Sequence, residues 1–347
     1  MINKRPLRKK INKRMLVLPL MAGMALSVCS QTPKSNSQTV APTFTEWHNL
    51  EVNDINRYPL HSDFFAFSSD DDTTTVNTGN RFKSKNYVSL EGDWKFHWVA
   101  NADERPDGFW RADYDDSSWK TMSVPGIWEV NGYGQPEYVN IGFAWRGHFN
   151  EQPPAVPTKD NHVGSYRREI NIPANWNGKQ VIAHFGSVTS NIYLWVNGTF
   201  VGYSEDSKVA AEFDVTKYLH PGKNLFAFET FRWCDGSWDE DQDFWRLSGV
   251  ARPSYLYAKP KDKQIKDIRI VPDLVNDYKD GTLTITTKLK GDVVMELELT
   301  DDKGRMVAQS GGVPDNNGNI VTTIEVPNVH KWTAETPNLY TLHLSLL

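Results

Sequence analysis

Beyond residue 44 the chain alternates short apolar runs with clusters of turn residues, and no long segment keeps the 3.6-residue apolar period of a helix. The runs "SYRREINIP", "KQVIAHFGSV", "SNIYLWVNGTFVGYS", "KNLFAFETFRW" and "PSYLYAKP" are rich in Val, Ile, Phe, Tyr and Trp, side chains that suit a pleated, half-buried surface. Asn197-Gly198, between "IYLWV" and "TFVGY", predicts a hairpin because both residues tolerate positive φ. The best helix candidate is one short turn in "DVTKYLHPG", with Asp214 as its cap and Pro221-Gly222 as its stop.

A second series of strands begins near Pro260: "IKDIRIVPDL", "TLTITTKL", "VVMELELTD", "GRMVAQSG", "NIVTTIEVP" and "LYTLHLSLL". In "MELEL", Met295, Leu297 and Leu299 share one face while Glu296 and Glu298 take the other. Strands of this length, separated by turns such as "DDKG" and "DNNGN", predict an immunoglobulin-like sandwich over residues 260–347. Six strands can be counted, one fewer than the seven-stranded form of that fold. Ending in or just after an apolar strand leaves an edge that invites aggregation, so truncation at Leu347 is the expectation. The fold class expected for the whole is all-β.

Composition and the N-terminus narrow the setting. "MINKRPLRKKINKR" is a positive leader and "MLVLPLMAGMALSV" an apolar stretch too short to span a bilayer comfortably, so residues 1–30 read as an export signal. "LSVC" resembles a lipoprotein box that would lipidate Cys29, although Val28 is large for its place. Cleavage after "VCS", with Gln31 as the mature start, is the competing reading. Either way the protein is expected outside the cytoplasm, in the periplasm or associated with an outer membrane, touching the membrane only through a lipid on Cys29. Residues 31–58 read as a tether and N-terminal extension, the polar, proline-punctuated part being "QTPKSNSQTVAPTF". Only Cys234 remains after export, so no intrachain disulfide is expected. The formal net charge is −5 and no basic stripe lies beyond the N-terminus, which excludes nucleic acid as a partner. The 13 tryptophans suit either core anchors or platforms for sugar rings.

The densest chemistry is "RWCDGSWDEDQDFWRLSGV", residues 232–250, with Asp235, Asp239, Glu240, Asp241 and Asp243 among three tryptophans. Paired carboxylates beside aromatic rings suit glycosidic cleavage, and clustered oxygens suit calcium. The run lacks the alternating ligands and mid-loop glycine of an EF-hand. Scaffold is the reading carried forward, with Arg246 expected to pair a carboxylate in bidentate fashion and Trp238 and Trp245 expected to pack against the first sandwich. The nine histidines show no metal-ligand spacing, and "SGGVPDNNGN" lacks the lysine and helix of a phosphate loop.

"LEGDWKFHW", "VPGIWEVNGYGQPEYVN", "PPAVPTKDNHVGSYRREINIP", "IYLWVNGTFVGYSEDSKVAAEFDVTKYLHPGKN", "FRWCDGSWDEDQDFWRLSGVARPSYLYAKP" and "TAETPNLYTL" together resemble the N-terminal part of family 2 glycoside hydrolases. Among these they are most similar to the large β-galactosidases of the bacterial lactose type, from about Leu90 to Leu347. The resemblance implies a jelly-roll sugar-binding domain over 59–259, then the immunoglobulin-like sandwich, then a TIM barrel absent from this chain. It implies that the intact enzyme hydrolyses terminal β-galactosides with retention, using two glutamates on the barrel about 5 Å apart. The pair Asn150-Glu151 lies in "GHFNEQPPAVP", outside the barrel context, so no catalytic residue is assigned here. By resemblance, Asp206 reaches the galactose pocket and ligates sodium, Asn140 hydrogen-bonds the sugar, and magnesium is held by residues beyond this chain. Both also have plainer readings, Asp206 as a turn cap and Asn140 as a loop support. Contacts between identical chains are a further implication. The rival readings are a stand-alone carbohydrate-binding lipoprotein and a non-functional fragment of an interrupted gene.

Overall fold

The computed structural model describes residues 41–69, 71, 78–140, 152–240 and 243–347. Among them every regular element is a strand or a short 3-10 turn, and no helix is long and apolar enough to cross a membrane. The expected turn after Asp214 is a single 3-10 turn, Thr216–Tyr218, and the Asp214 carboxylate accepts the Thr216 N–H at 3.0 Å.

The first sandwich faces a seven-stranded sheet against a four-stranded one. The larger sheet runs, in spatial order, Asp54–Ile55, Thr199–Glu205, Asn191–Val196, Gly222–Phe231, Val163–Ile172, Gly92–Val99 and Lys120–Val124. The smaller runs Ala211–Asp214, Gln180–Phe185, Ser254–Lys259 and Tyr87–Ser89. Successive side chains of a strand point to opposite faces. Ile192, Leu194 and Val196 therefore join Phe185, Phe213 and Leu256 in the core between the sheets. Tyr193 and Trp195 point the other way, into a second aromatic cluster with Trp47, Phe109 and Trp119. All six residues of Asn191–Val196 are buried, and this two-sided burial explains why "IYLWV" is apolar without alternation. Asn197 and Gly198 join this strand to its neighbour at φ of 49° and 80°, the hairpin geometry their pairing predicts.

The N-terminal extension is part of this fabric. Trp47 is buried and stacks on Phe231 with ring centroids 5.1 Å apart, Glu46 accepts the Tyr193 hydroxyl at 3.0 Å, and Asp54–Ile55 pairs with Tyr203 and Ser204. That pairing needs Gly202, where a Cβ would lie 2.3 Å from the Ile55 carbonyl oxygen.

The second sandwich has two three-stranded sheets. Gln264–Val275, Asp280–Lys290 and Asn319–Val326 form one; Met306–Gly312, Met295–Thr300 and Thr341–Leu346 form the other. Met295, Leu297 and Leu299 are buried against Ile285, Leu289, Ile320 and Ile324, as the alternation in "MELEL" requires.

Candidate functional site

Asp206 follows the strand Thr199–Glu205 and is exposed. Its φ of 98° is rare for a residue with a side chain, and a strained backbone of this kind is a pointer to function. Its Oδ1 accepts the N–H groups of Lys208 and Val209 at 3.1 and 3.2 Å. The plain turn-cap reading thus accounts for one carboxylate oxygen and leaves Oδ2 outside the turn's hydrogen bonds. Asn140 is also exposed and directly follows the strand Glu137–Val139.

The two residues are brought to neighbouring parts of one rim by the pairing of Glu137–Val139 with Phe244–Arg246. Val139 lies opposite Phe244 in this ribbon, and Lys208, two residues past Asp206, holds its Nζ 4.9 Å over the Phe244 ring. Between Asp206 and Lys208, the Ser207 N–H donates to Glu240 Oε1 at 3.3 Å and the Ser207 hydroxyl donates to the same oxygen. The ribbon is held from below by Arg232, whose Nη2 donates to Glu137 Oε1 at 2.6 Å and to the Gln135 carbonyl at 3.0 Å. Tyr138, Phe244 and Trp245 all present aromatic surface to solvent. Trp245 is half exposed and tilted against Tyr138, with centroids 5.5 Å apart, so it is not the packing residue that sequence reasoning expected. Trp238 does pack, donating its indole N–H to Ala155 at 3.2 Å. Among the described residues Arg246 approaches Glu240 at an N···O distance of 3.9 Å.

This rim offers what a sugar contact uses: an outward carboxylate oxygen, an amide that both donates and accepts, and aromatic faces. The recess behind it, bordered by Lys208, Arg232, Glu240 and Trp245, encloses about 10 Å³. That is room for about one water, far below the size of a ligand pocket. Asp206 supplies one hard oxygen, and a hard cation takes several. Its carboxylate fits a sodium ion as one ligand among several. Cys29 and residues 1–40, with the export reading, lie outside the described residues, as do Asp241 and the rejected pair Asn150-Glu151.

Two further acid clusters were not foreseen. Glu205, one residue before Asp206, lies against Asp235 and Cys234, with one ligand-capable atom of each within 4.8 Å of the others. Burial pushes the Glu205 carboxyl up to about 8, and the nearby Asp235 adds to the effect. Spacing alone would nominate this carboxyl pair for glycosidic catalysis. Both residues are sealed from solvent, 6% and 3% exposed, so no sugar reaches them. The signal for Glu205 was its place on a strand buried on both faces; Asp235 belongs to the acidic run 232–250, whose scaffold reading did not link it to Glu205.

A larger cleft of about 350 Å³ lies on another part of the first sandwich, lined by His61, Arg81, His184, Glu212, Arg252 and Tyr255 among others. It is roomier than the recess behind the rim, but its acids are already engaged: Asp63 approaches Arg81 at 3.4 Å. Glu212 receives His61 Nε2 at 2.9 Å, His184 Nδ1 at 2.7 Å and the Tyr257 hydroxyl at 3.1 Å. A carboxylate so occupied acts as a clamp between His61 and the smaller sheet rather than as a general acid or nucleophile.

Fold and rim together define a pair of β-sandwiches, the first carrying a polar and aromatic rim. A family model described as "Glycosyl hydrolases family 2, sugar binding domain" matches residues 87–260, and "Glycosyl hydrolases family 2" matches 263–347; the chain belongs to glycosyl hydrolases family 2. It is 38% identical over 316 residues to a β-galactosidase of Priestia megaterium, covering 87% of this chain and 30% of that enzyme. It is 37% identical over 303 residues to a β-galactosidase of Halalkalibacterium halodurans, covering 86% and 29%. The chain thus spans about 30% of the length of these curated relatives. Among solved structures it is similar to a Bifidobacterium dentium β-glucuronidase complexed with coumarin-3-O-glucuronide, at TM-score 0.59 and 19% identity over 76% of this chain and 46% of that one. A Bacteroides vulgatus β-glycosidase aligns at TM-score 0.56 and 22% identity, over 75% and 32%. The all-β expectation, the jelly roll followed by an immunoglobulin-like sandwich, and the family resemblance agree with these findings.

Proposed function

We propose that this chain forms the front portion of an exported β-galactosidase, two sandwich domains that support and complete the active site of a catalytic barrel lying outside these residues. The observation that carries this reading is Asp206: an exposed non-glycine residue held at φ 98° beside an aromatic rim, with one carboxylate oxygen bound in its own turn and the other outside those bonds. In the intact enzyme the barrel supplies the two carboxyl groups for double-displacement hydrolysis of terminal β-galactosides. Asp206 and Asn140 contact the sugar from this side, Asp206 is one ligand of a sodium ion, and magnesium belongs to the barrel. The relatives named β-galactosidase support the choice of sugar. The export reading of residues 1–30 supports a place in the periplasm or, through a lipid on Cys29, on a membrane.

The test is a chromogenic β-galactoside assay on the purified 347-residue chain, with galactose titrated by calorimetry alongside. Neither turnover nor saturable binding is expected. Turnover that Asp206→Ala abolishes would overturn the reading, and micromolar galactose binding would make the chain a stand-alone lectin instead.

A further inference from the structure

We propose that Glu205, Cys234 and Asp235 are the protein ligands of a buried divalent transition-metal ion of the zinc class, directly beneath the turn that carries Asp206. Glu205 ends the strand Thr199–Glu205, while Cys234 and Asp235 open the 3-10 turn Asp235–Trp238. One carboxylate or thiol atom from each lies within 4.8 Å of the other two. The cysteine is fully buried and the two acids nearly so.

The decisive feature is a pair of buried oxygens without a donor. Glu205 Oε1 accepts the Tyr203 hydroxyl at 2.6 Å and Asp235 Oδ1 accepts the Gly236 N–H at 3.0 Å. Glu205 Oε2 and Asp235 Oδ2 are buried with no N–H or hydroxyl donor, and the two acids lie within hydrogen-bond reach of each other. Buried carboxylate oxygens without a donor are costly. No lysine, arginine or histidine among the described residues forms an ion pair with either acid. Space is also kept clear beside Oε2: residue 236 is glycine, and a Cβ there would come within 3.0 Å of it. The cluster sets two carboxyl groups against one buried thiol, with no cationic side chain of the described residues placed among them. A cation relieves every one of these features at once.

The donor set selects the ion. A thiolate is a poor ligand for calcium or magnesium, which prefer all-oxygen shells. Zinc accepts one sulfur at about 2.3 Å and two carboxylate oxygens at about 2.0–2.2 Å in a tetrahedron. The fourth position falls to a water or to the Ser190 carbonyl, which already lies 3.8 Å from Cys234 Sγ. On binding, the thiol proton and any proton shared by the two acids leave to solvent. The ion would pin the end of the Asp206 strand to the 232–250 segment, and it stands whether or not the proposed galactosidase reading does, because its test uses no sugar.

The 347-residue chain, purified without chelator, is expected to carry roughly one zinc per chain by mass spectrometry of its metals. After chelation its melting temperature should fall and recover on adding zinc. Cobalt(II) loaded in place of zinc should give a thiolate-to-metal charge-transfer band that is lost in Cys234→Ser. Asp235→Asn should weaken zinc binding by at least about tenfold. The proposal fails if the wild-type chain neither retains zinc nor responds to it in melting, which would mean that a shared proton joins the two acids. It also fails if the cobalt band survives Cys234→Ser, a result that needs no stability comparison between variants.

Discussion

At the scale of single residues, position in the pattern revealed some chemistry and hid the rest. Asp206 stands out in "SEDSK" only through the family likeness; the structure adds a strained backbone and one carboxylate oxygen outside the turn's hydrogen bonds. His61 gave no signal, because its partner Glu212 is 151 residues away and no local spacing links them. The pair has a pH signature. Burial alone would push the Glu212 carboxyl up, but hydrogen bonds and charges from His184 and His61 bring it down to about 2. The hydrogen bond to Glu212 raises His61 above its usual 6.5, outweighing burial and the field of Lys259. A lowered carboxyl contributes stability that is present above 4.5 and lost as pH falls towards about 2. A raised histidine contributes stability that is present below 6.5 and lost as pH rises through its folded value. The clamp is therefore strongest between 4.5 and 6.5. Urea denaturation of wild type and His61→Gln across pH should show a difference of about 1.5–3 kcal/mol in that window, shrinking on the alkaline side. A pH-independent difference would contradict the ion-pair account. Glu229, buried and raised to about 7, titrates in both proteins and cancels.

At the scale of elements, alternation was read well where one face meets solvent and poorly where both are covered. "MELEL" announced its buried face directly, whereas "IYLWV" is apolar throughout because an aromatic layer covers the outer face of its sheet. That layer includes Trp47, and the strand Asp54–Ile55 extends the same sheet. Neither was legible as an integral part of the sandwich, since a two-residue edge strand carries no period. Gly202 ties the extension to the sheet: a Cβ there would meet the Ile55 carbonyl oxygen at 2.3 Å and the Phe213 ring at 2.8 Å. Gly202→Ala should therefore destabilise the first sandwich by about 1–3 kcal/mol through overpacking. It should also open residues 41–58 to limited proteolysis. Unchanged cleavage of that segment would show that the extension is held mainly by Trp47 and Glu46.

At the scale of the whole molecule, the two sandwiches keep separate apolar cores, and the chain between 58 and 64 reaches across to the second. Ser62 donates its N–H and hydroxyl to Asp267 at 2.9 and 3.0 Å, Lys266 reaches the Tyr58 hydroxyl at 3.1 Å, and Phe64 packs on the second core. The linkage is mainly polar, so the cores should respond separately to a core lesion even though they belong to one chain. Leu297, buried at the centre of the second sandwich, provides the probe. Leu297→Ala removes packing that its neighbours only partly refill, at about 2–5 kcal/mol. Calorimetry should show the loss confined to one transition, while the near-ultraviolet signal of the tryptophan-rich first sandwich melts where it does in wild type. If both signals shift together, the Ser62, Tyr58 and Phe64 contacts couple the cores into one cooperative unit, and the front wall of the proposed site could not be loosened at one domain without loosening the other.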